Sequence, residues 1–214
     1  MRKVDISAAL CEWIYEDDFK EKCEDLGLDI IHIEDGKVKW AIIQASRCVY
    51  VVFRGTDNFS NWISNLKATP TYTKMFGWAH RGWRRAFMST EVELKSQLTR
   101  LKKPDLYVIF CGHSMGGVVA QFAAIWHRKH YSALRCEVIS FGAPKPGLGS
   151  FCERMERIPY TRYFNDDDPT PHSPGFLFYR HPKGNPVEVR DGDNDFIDAG
   201  EHNMKLYRRL ACGG

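Results

Sequence analysis

Hydrophobic and polar positions divide the chain into apolar runs of strand length and segments with helical spacing. The apolar runs are Val38–Ala45, Cys48–Phe53, Leu106–Cys111, Cys136–Phe141 and Tyr160–Phe164. Helices are predicted over Ile6–Cys23, Arg81–Leu101, Val118–His130, Gly149–Arg157 and Glu201–Leu210. Alternation of strands and helices is typical of α/β proteins, so we expect one domain over residues 1–214 with a mostly parallel, twisted sheet and helices on both faces.

Three segments carry more specific expectations. The runs 38–45 and 48–53 are separated by a tight polar turn, which favours an antiparallel pair. Residues 68–75 contain Pro70 and several threonines and are interpreted as a loop or strand. Near the end of the chain, Phe176–Tyr179 and Pro186–Val189 could pair as a hairpin.

The junction after Leu106–Cys111 carries the clearest chemical signal. Gly112-His-Ser-Met-Gly116 is a G-x-S-x-G sequence between a predicted strand and a predicted helix, the context of a nucleophile elbow. The flanking glycines allow strand and helix to approach closely around Ser114. The N–H groups that open the helix then point to where an oxyanion forms during acyl transfer.

Composition excludes several classes of function. With 30 basic and 27 acidic residues, the net charge of +3 is too balanced to indicate a nucleic-acid partner. No apolar stretch approaches the roughly 20 residues of a membrane-spanning helix, and acidic residues interrupt the N-terminus too early for a signal peptide. The seven cysteines lack zinc-ligand spacing, so we predict reduced thiols and a cytoplasmic protein, with a secreted mature form as the alternative.

A serine nucleophile needs a base and an acid to orient that base. In elbow-type hydrolases the partners follow the serine in the order acid, then histidine, which favours His202 among the eight histidines. His113 is expected to be structural, because it directly precedes the serine. Spacing alone leaves the acid open among the cluster Asp166, Asp167 and Asp168.

Two further segments complete the candidate site. The backbone N–H of Met115 is one expected oxyanion donor, and Thr56 in the turn Arg54-Gly-Thr56 can offer a second. Asp191, Asp193 and Asp195 match the first positions of a calcium loop, but Phe196 and His202 depart from it. We therefore expect a polar loop there, with a non-catalytic calcium site as the alternative, and no metal or cofactor in the reaction.

Taken together, these motifs resemble the class 3 (fungal-type) lipase family of α/β-hydrolases. The matching segments are Phe53–Leu66, His80-Arg-Gly-Trp83, Gly112-His-Ser-Met-Gly-Gly117, Phe141-Gly-Ala-Pro144, Asn165–Pro171 and Glu201-His202 with Tyr207 downstream. The resemblance selects Asp168 as the acid and gives Thr56 an oxyanion role through its side chain and N–H. Thr170 departs from the family pattern, which usually has Val beside the acid.

The resemblance also implies a lid over residues 57–66. Phe59, Trp62, Ile63 and Leu66 form one apolar helical stripe, which could cover a cleft and transiently contact a lipid surface. Such a stripe could equally be ordinary core.

The expected function is a serine carboxylic-ester hydrolase, a lipase or esterase that acts on acylglycerols or other acyl esters. The alternatives are a phospholipase A1-type enzyme, a short-chain esterase, or a non-catalytic binding module on the same fold.

Overall fold

A central sheet of seven strands organises the computed structural model, which describes residues 1–46, 48–56, 69–101, 106–132, 134–175, 178–190 and 202–213. Its strands are β1 (Asp29–Asp35), β2 (Lys39–Ala45), β3 (Cys48–Phe53), β6 (Tyr107–His113), β7 (Arg135–Phe141), β8 (Tyr160–Phe164) and β9 (Asn185–Glu188). A separate ribbon pairs β4 (Pro70–Thr73) with β5 (Gly77–His80). The helices are α1 (Lys3–Trp13), α2 (Phe19–Asp25), α3 (Arg81–Met88), α4 (Glu91–Arg100), α5 (Met115–His130), α6 (Gly149–Met155) and α7 (Met204–Cys212).

The strand order in the sheet is β1-β2-β3-β6-β7-β8-β9. β1, β2 and β3 pair antiparallel, and every pair from β3 to β9 is parallel. The predicted mostly parallel sheet and the antiparallel pair β2–β3 are therefore confirmed. Because β3, β6, β7 and β8 run parallel, the segments that follow them emerge at the same edge of the sheet.

Alternation along the strands gives the sheet two apolar faces. In β3, Val49 and Val51 pack on the face covered by α3, α4, α5 and α6, and Tyr50 and Val52 pack on the face covered by α1, α2 and α7. Helices on both faces were predicted. The seven cysteines are free thiols, and five of them are buried. Among the described residues, no helix is both long enough and apolar enough to cross a membrane.

Two predicted helices are each divided in the structure. The segment predicted as Ile6–Cys23 forms α1 and α2, separated by an acidic turn that includes Tyr15. The segment predicted as Arg81–Leu101 breaks at Ser89 and Thr90, whose hydroxyls donate to the carbonyls of Ala86 and Phe87 at 2.7 and 2.8 Å. Side chains that bind nearby carbonyls compete with a continuous helix, which explains the second break.

The predicted hairpin near the end of the chain was wrong. β9 pairs in parallel with β8, and Arg180 makes only an isolated bridge to Gly147. Residues 176–177 lie outside the described residues. The intervening residues 180–185 include Pro182, which cannot donate to a ladder, and Pro186 itself lies in the last strand of the sheet order, where proline is tolerated.

Glycines set the close approach of strand and helix at the predicted elbow. A Cβ on Gly112 would lie 2.2 Å from the carbonyl carbon of Gly116, and one on Gly116 would lie 2.0 Å from the carbonyl oxygen of Phe53. Both contacts are with backbone atoms, which have little freedom to move aside. The requirement for small residues around Ser114 is therefore confirmed.

Gly116→Ala is expected to destabilise the fold by about 3 kcal/mol or more, because the added methyl group has no space between β3 and α5. Urea unfolding measures the change. Gly36→Ala is the control, since its Cβ would meet only Glu34 Oε1 at 3.4 Å in an exposed turn, and it should alter stability by less than about 0.5 kcal/mol. Equal unfolding midpoints for the two variants would contradict this account of the elbow.

Candidate active site

Ser114 occupies a strained turn between β6 and α5. Its backbone angles are φ 57° and ψ −129°, a conformation that side-chain-bearing residues rarely adopt. The turn is held by a hydrogen bond from Ser114 N to the carbonyl oxygen of Phe141 at 2.9 Å and by one from Gly117 N to the carbonyl oxygen of Ser114 at 3.1 Å. Ser114 is 1% exposed, and its Oγ has no hydrogen-bond partner within the described part of the chain. The predicted nucleophile therefore has the local geometry of an elbow.

Asp168 is a fully buried carboxylate at the end of the segment after β8. Its Oδ2 accepts hydrogen bonds from His202 Nδ1 at 2.7 Å and from the Tyr207 hydroxyl at 2.7 Å, and its Oδ1 accepts one from Thr170 N at 2.8 Å. Asp166 and Asp167 are exposed. Of the three aspartates that the sequence left open, Asp168 is the one in contact with the predicted base.

The departure at Thr170 has no effect on this contact with the acid. Thr170 reaches Asp168 through its backbone N–H, which a valine would also provide. The hydrogen bond therefore depends on the turn and is independent of the side chain.

His202 is held beside Asp168 by the start of α7. The next residue, Asn203, caps the helix by accepting a hydrogen bond from Lys205 N at 2.9 Å. Farther along α7, Arg208 pairs with Glu12 of α1 at 2.9 Å and lies over the ring of Trp13. This helix contact fixes the direction from which His202 enters the site.

Tyr207 contacts the candidate acid Asp168, and the sequence did not predict this contact. It was recognised only as part of a motif, whereas its buried hydroxyl accepts from Asn165 N at 3.1 Å and donates to Asp168. Burial raises the pKa of Tyr207, and the charge of Asp168 raises it further, so the phenol stays protonated and remains a donor.

Gly142 makes this convergence possible just after β7. Its φ is 56°, and a Cβ there would lie 3.0 Å from Tyr207 Cε2 and 3.1 Å from Asp168 Oδ2. A larger residue would be strained in that conformation and crowded by the ring and the carboxylate. These two constraints explain why the Phe141-Gly-Ala-Pro144 motif has a glycine at position 142.

The two predicted oxyanion donors lie on either side of the elbow. Met115 is the first residue of α5, and the N–H groups of a first helical turn have no partner within the helix. Thr56 follows β3, and its buried Oγ1 has no hydrogen-bond partner within the described ranges. Both are therefore in elements adjacent to Ser114.

His113 and Tyr15 form a second polar contact next to the elbow. The Tyr15 hydroxyl lies 3.1 Å from His113 Nδ1, and the rings of His113 and His202 are 4.6 Å apart between centroids. Burial lowers the pKa of His113 well below its usual value, and the charge of His202 lowers it further. His113 is consequently neutral at neutral pH, and its contact with His202 was not anticipated from the sequence.

Two sequence predictions fall outside the described residues. They are the lid stripe Phe59, Trp62, Ile63 and Leu66 and the acidic loop with Asp191, Asp193 and Asp195. Among the residues that the structure describes, no group of three or more His, Cys, Asp or Glu side chains could hold a metal ion.

Removing the Tyr207 hydroxyl should weaken both the fold and the site. We expect Tyr207→Phe to cost about 1.5–3 kcal/mol of stability, because the lost hydrogen bond goes to a buried charge, and to lower the kcat of ester hydrolysis several-fold. Tyr160→Phe is a matched control, since the buried Tyr160 hydroxyl lies at hydrogen-bond distance from two neutral side chains, Ser140 Oγ at 3.0 Å and Gln121 Nε2 at 3.3 Å. It should cost about 1 kcal/mol and leave kcat unchanged. Identical results for the two variants in urea unfolding and kinetics would refute the distinction.

Comparison with known families identifies the chain's relatives. The model of the class 3 lipase family matches residues 50–178, which is more than half of the chain. A lipase from Rhizomucor miehei is 30% identical over 143 residues, covering 63% of this chain and 39% of that protein. A secreted mono- and diacylglycerol lipase from Fusarium solani is 30% identical, covering 64% and 43% of the two proteins. A chloroplastic galactolipase from Arabidopsis thaliana is 27% identical, covering 72% and 42%.

Solved structures show the same fold. The triacylglyceride lipase of Rhizomucor miehei superposes with a TM-score of 0.78 at 21% identity, covering 89% of this chain and 82% of that one. A triacylglycerol lipase whose catalytic centre is described as a serine protease triad superposes with a TM-score of 0.77 at 21% identity, covering 88% and 79%. The alignments span about two fifths of the length of the curated relatives. The family match, the elbow at Ser114 and the α/β-hydrolase fold agree, and the chain belongs to the class 3 lipase family.

Proposed function

We propose that this protein is a serine carboxylic-ester hydrolase that cleaves acylglycerols or related acyl esters. The observation that carries the proposal is the 2.7 Å hydrogen bond between His202 Nδ1 and the buried Asp168 Oδ2, at the sheet edge where the strained Ser114 lies. A histidine bound through Nδ1 to a carboxylate keeps Nε2 as the nitrogen that can accept a proton. This is the arrangement that a serine needs in order to act as a nucleophile.

In the first half of the reaction, Ser114 Oγ attacks the carbonyl carbon of the ester while His202 Nε2 takes the hydroxyl proton. The carbonyl electron pair moves to oxygen, and the N–H groups of Met115 and Thr56, with the Thr56 hydroxyl, stabilise the oxyanion. Collapse of the tetrahedral intermediate breaks the ester bond, and His202 returns the proton to the departing alcohol. Asp168 stabilises the imidazolium and holds its tautomer throughout.

In the second half, water attacks the acyl-enzyme. His202 takes a proton from the water, the same donors stabilise the second oxyanion, and Ser114 leaves as the alcohol when the proton returns to its Oγ. The products are a carboxylic acid and the regenerated enzyme, so atoms balance without any cofactor.

The names of the relatives support the substrate class. They include a lipase, a mono- and diacylglycerol lipase and a galactolipase, three names that share a lipid as the substrate. The phospholipase A1-type and short-chain esterase alternatives differ in headgroup and chain length. Hydrolysis of p-nitrophenyl esters of increasing chain length, with and without a lipid interface, distinguishes them.

Four narrower predictions belong to the same proposal. They are the single domain over residues 1–214, the lid over residues 57–66, the transient contact with a lipid surface and the absence of a nucleic-acid partner. The cytoplasmic setting predicted from the cysteines gains no support from the relatives, one of which is named as secreted.

Ser114→Ala is expected to abolish hydrolysis of p-nitrophenyl butyrate, with kcat lower by about 10⁶-fold because the nucleophile is gone. The variant should unfold at nearly the same urea concentration as the wild type, since Ser114 Oγ has no hydrogen-bond partner within the described residues. A fluorophosphonate probe should label the wild type and leave the variant unlabelled. Retained turnover in the variant would refute the assignment, and an unlabelled, inactive wild type would favour the binding module.

The neighbouring aspartates provide an internal test of the acid. Asp168→Asn should lower kcat by about 10⁴-fold, because the amide cannot accept from His202 and Tyr207 as the carboxylate does. Asp167→Asn is the matched control in the same turn and should retain wild-type activity, since its side chain is exposed. If Asp167→Asn were the inactive variant, Asp168 would not be the triad acid.

A further inference from the structure

Tyr15 connects the turn after α1 to the loop after β3. Its hydroxyl accepts a hydrogen bond from Gly55 N at 2.9 Å and lies 3.1 Å from His113 Nδ1. The three residues belong to separate parts of the chain, and two of them directly precede the proposed oxyanion donor Thr56 and the proposed nucleophile Ser114. A single half-buried hydroxyl therefore contacts both sides of the elbow.

The directions of these two hydrogen bonds follow from their chemistry. Gly55 N can only donate, so the Tyr15 oxygen accepts from it and its own hydrogen is free to go to His113 Nδ1. His113 is neutral, so only one of its ring nitrogens carries a proton, and a proton on Nε2 leaves Nδ1 as the acceptor for the Tyr15 hydroxyl. The chain of donors then runs from Gly55 N–H through Tyr15 O–H to His113.

Gly55 has almost no room to move in this arrangement. A Cβ on Gly55 would lie 2.5 Å from the Tyr15 hydroxyl, 3.0 Å from the carbonyl oxygen of His113 and 3.0 Å from Ser114 Cβ. The loop is pressed against the elbow, and the bond from Gly55 N to Tyr15 fixes the orientation of the Arg54–Gly55 peptide, which is adjacent to the Gly55–Thr56 peptide that carries the Thr56 N–H.

We propose that Tyr15 is a positioning residue, which sets the orientation of the oxyanion loop by holding Gly55 N–H and His113 Nδ1 with one hydroxyl. In this proposal Tyr15 acts through Thr56. The inference rests on the proposed esterase activity. Oxyanion donors must be aimed at the position that the charge reaches in the transition state, so a small reorientation of the loop affects kcat more than substrate binding.

Tyr15→Phe removes the hydroxyl and keeps the ring, over which the Arg54 guanidinium lies at 5.1 Å from the centroid. We expect kcat to fall by about ten- to a hundredfold, because the donor is misaligned rather than deleted. KM should stay within about twofold of the wild-type value, since the loop stabilises the transition state rather than the bound substrate. Tyr131→Phe is the matched control, because its half-buried hydroxyl also makes two hydrogen bonds, to Thr99 Oγ1 at 2.8 Å and to the Lys95 carbonyl at 3.4 Å, away from the elbow.

A transition-state mimic separates positioning from a general loss of structure. A short alkyl boronic acid would form a tetrahedral adduct with Ser114, so its inhibition constant should rise in Tyr15→Phe by the same factor by which kcat/KM falls. Tyr131→Phe should leave the inhibition constant unchanged. A rise in KM with unchanged kcat, or equal kinetics for the two variants, would overturn the proposal.

Two measurements keep the inference separate from the esterase assignment. The rate of fluorophosphonate labelling of Ser114 needs no turnover and should be slower in Tyr15→Phe than in the wild type, even if the natural ester is not an acylglycerol. In the wild-type protein, NMR hydrogen exchange should show the Gly55 amide protected, and that protection should be lost in Tyr15→Phe. An unprotected Gly55 amide in the wild type would overturn the proposal even if the variant failed to fold.

Discussion

The buried carboxylate of Asp168 is the constraint on which the site depends. An ionised carboxylate out of water carries a cost of several kcal/mol unless its oxygens are bonded. Here three donors approach it, from the proposed base His202, from the phenol of Tyr207 and from the backbone of Thr170. Because the first two belong to the segment that includes α7, satisfying the carboxylate also fixes the position of the C-terminal helix against the sheet.

The same requirement explains why the acid is one particular aspartate in a run of three. Asp167 N donates to the side chain of Asn165 at 3.1 Å, and Asp168 N donates to the Asn165 carbonyl at 3.2 Å. This tight turn leaves Asp166 and Asp167 in solvent and directs only Asp168 inward. The position of Asn165 is fixed as well, since its backbone N–H donates a hydrogen bond to the Tyr207 hydroxyl. The turn, the acid and the phenol therefore form one unit.

The sequence predicted those features that depend on local chemistry or chain order. The mostly parallel sheet follows from alternating apolar runs, and the elbow follows from glycines that must lack side chains. The order of residues favoured His202, and the resemblance to a family selected Asp168. The divided helices were missed because side chains in the turns end each helix. The parallel β8–β9 pair was missed because it needs a crossover connection, which hydrophobic periodicity does not encode. Tyr207 was recognised only as part of a motif, because its hydrogen bond to Asp168 joins two residues that are 39 positions apart in the sequence.

Tyr15 illustrates why such residues escape sequence reasoning. It lies in the turn that divides the first predicted helix, so its hydroxyl is available to the loop at Gly55 only because the helix ends at Trp13. A continuous helix over Ile6–Cys23 would have made Tyr15 one more helical residue. The wrong helix boundary therefore also explains why the contact between Tyr15 and Gly55 was missed.

Both polar contacts at the elbow are supplied from one face of the sheet. Tyr15 and Tyr207 pack with the cluster formed with α1, α2 and α7, and the ring of each lies 5.9 Å from the ring of His113, which is 4.6 Å from that of His202. The opposite face contributes α5, whose buried side is mainly apolar and whose first turn supplies the N–H groups. The division separates two roles in the proposed mechanism, since one face holds α5, which presents the Met115 N–H, while the other face orients Asp168, His202 and the loop that carries Thr56. The Arg208–Glu12 pair links α7 to α1, and it therefore links the helix that carries Tyr207 to the helix that precedes Tyr15.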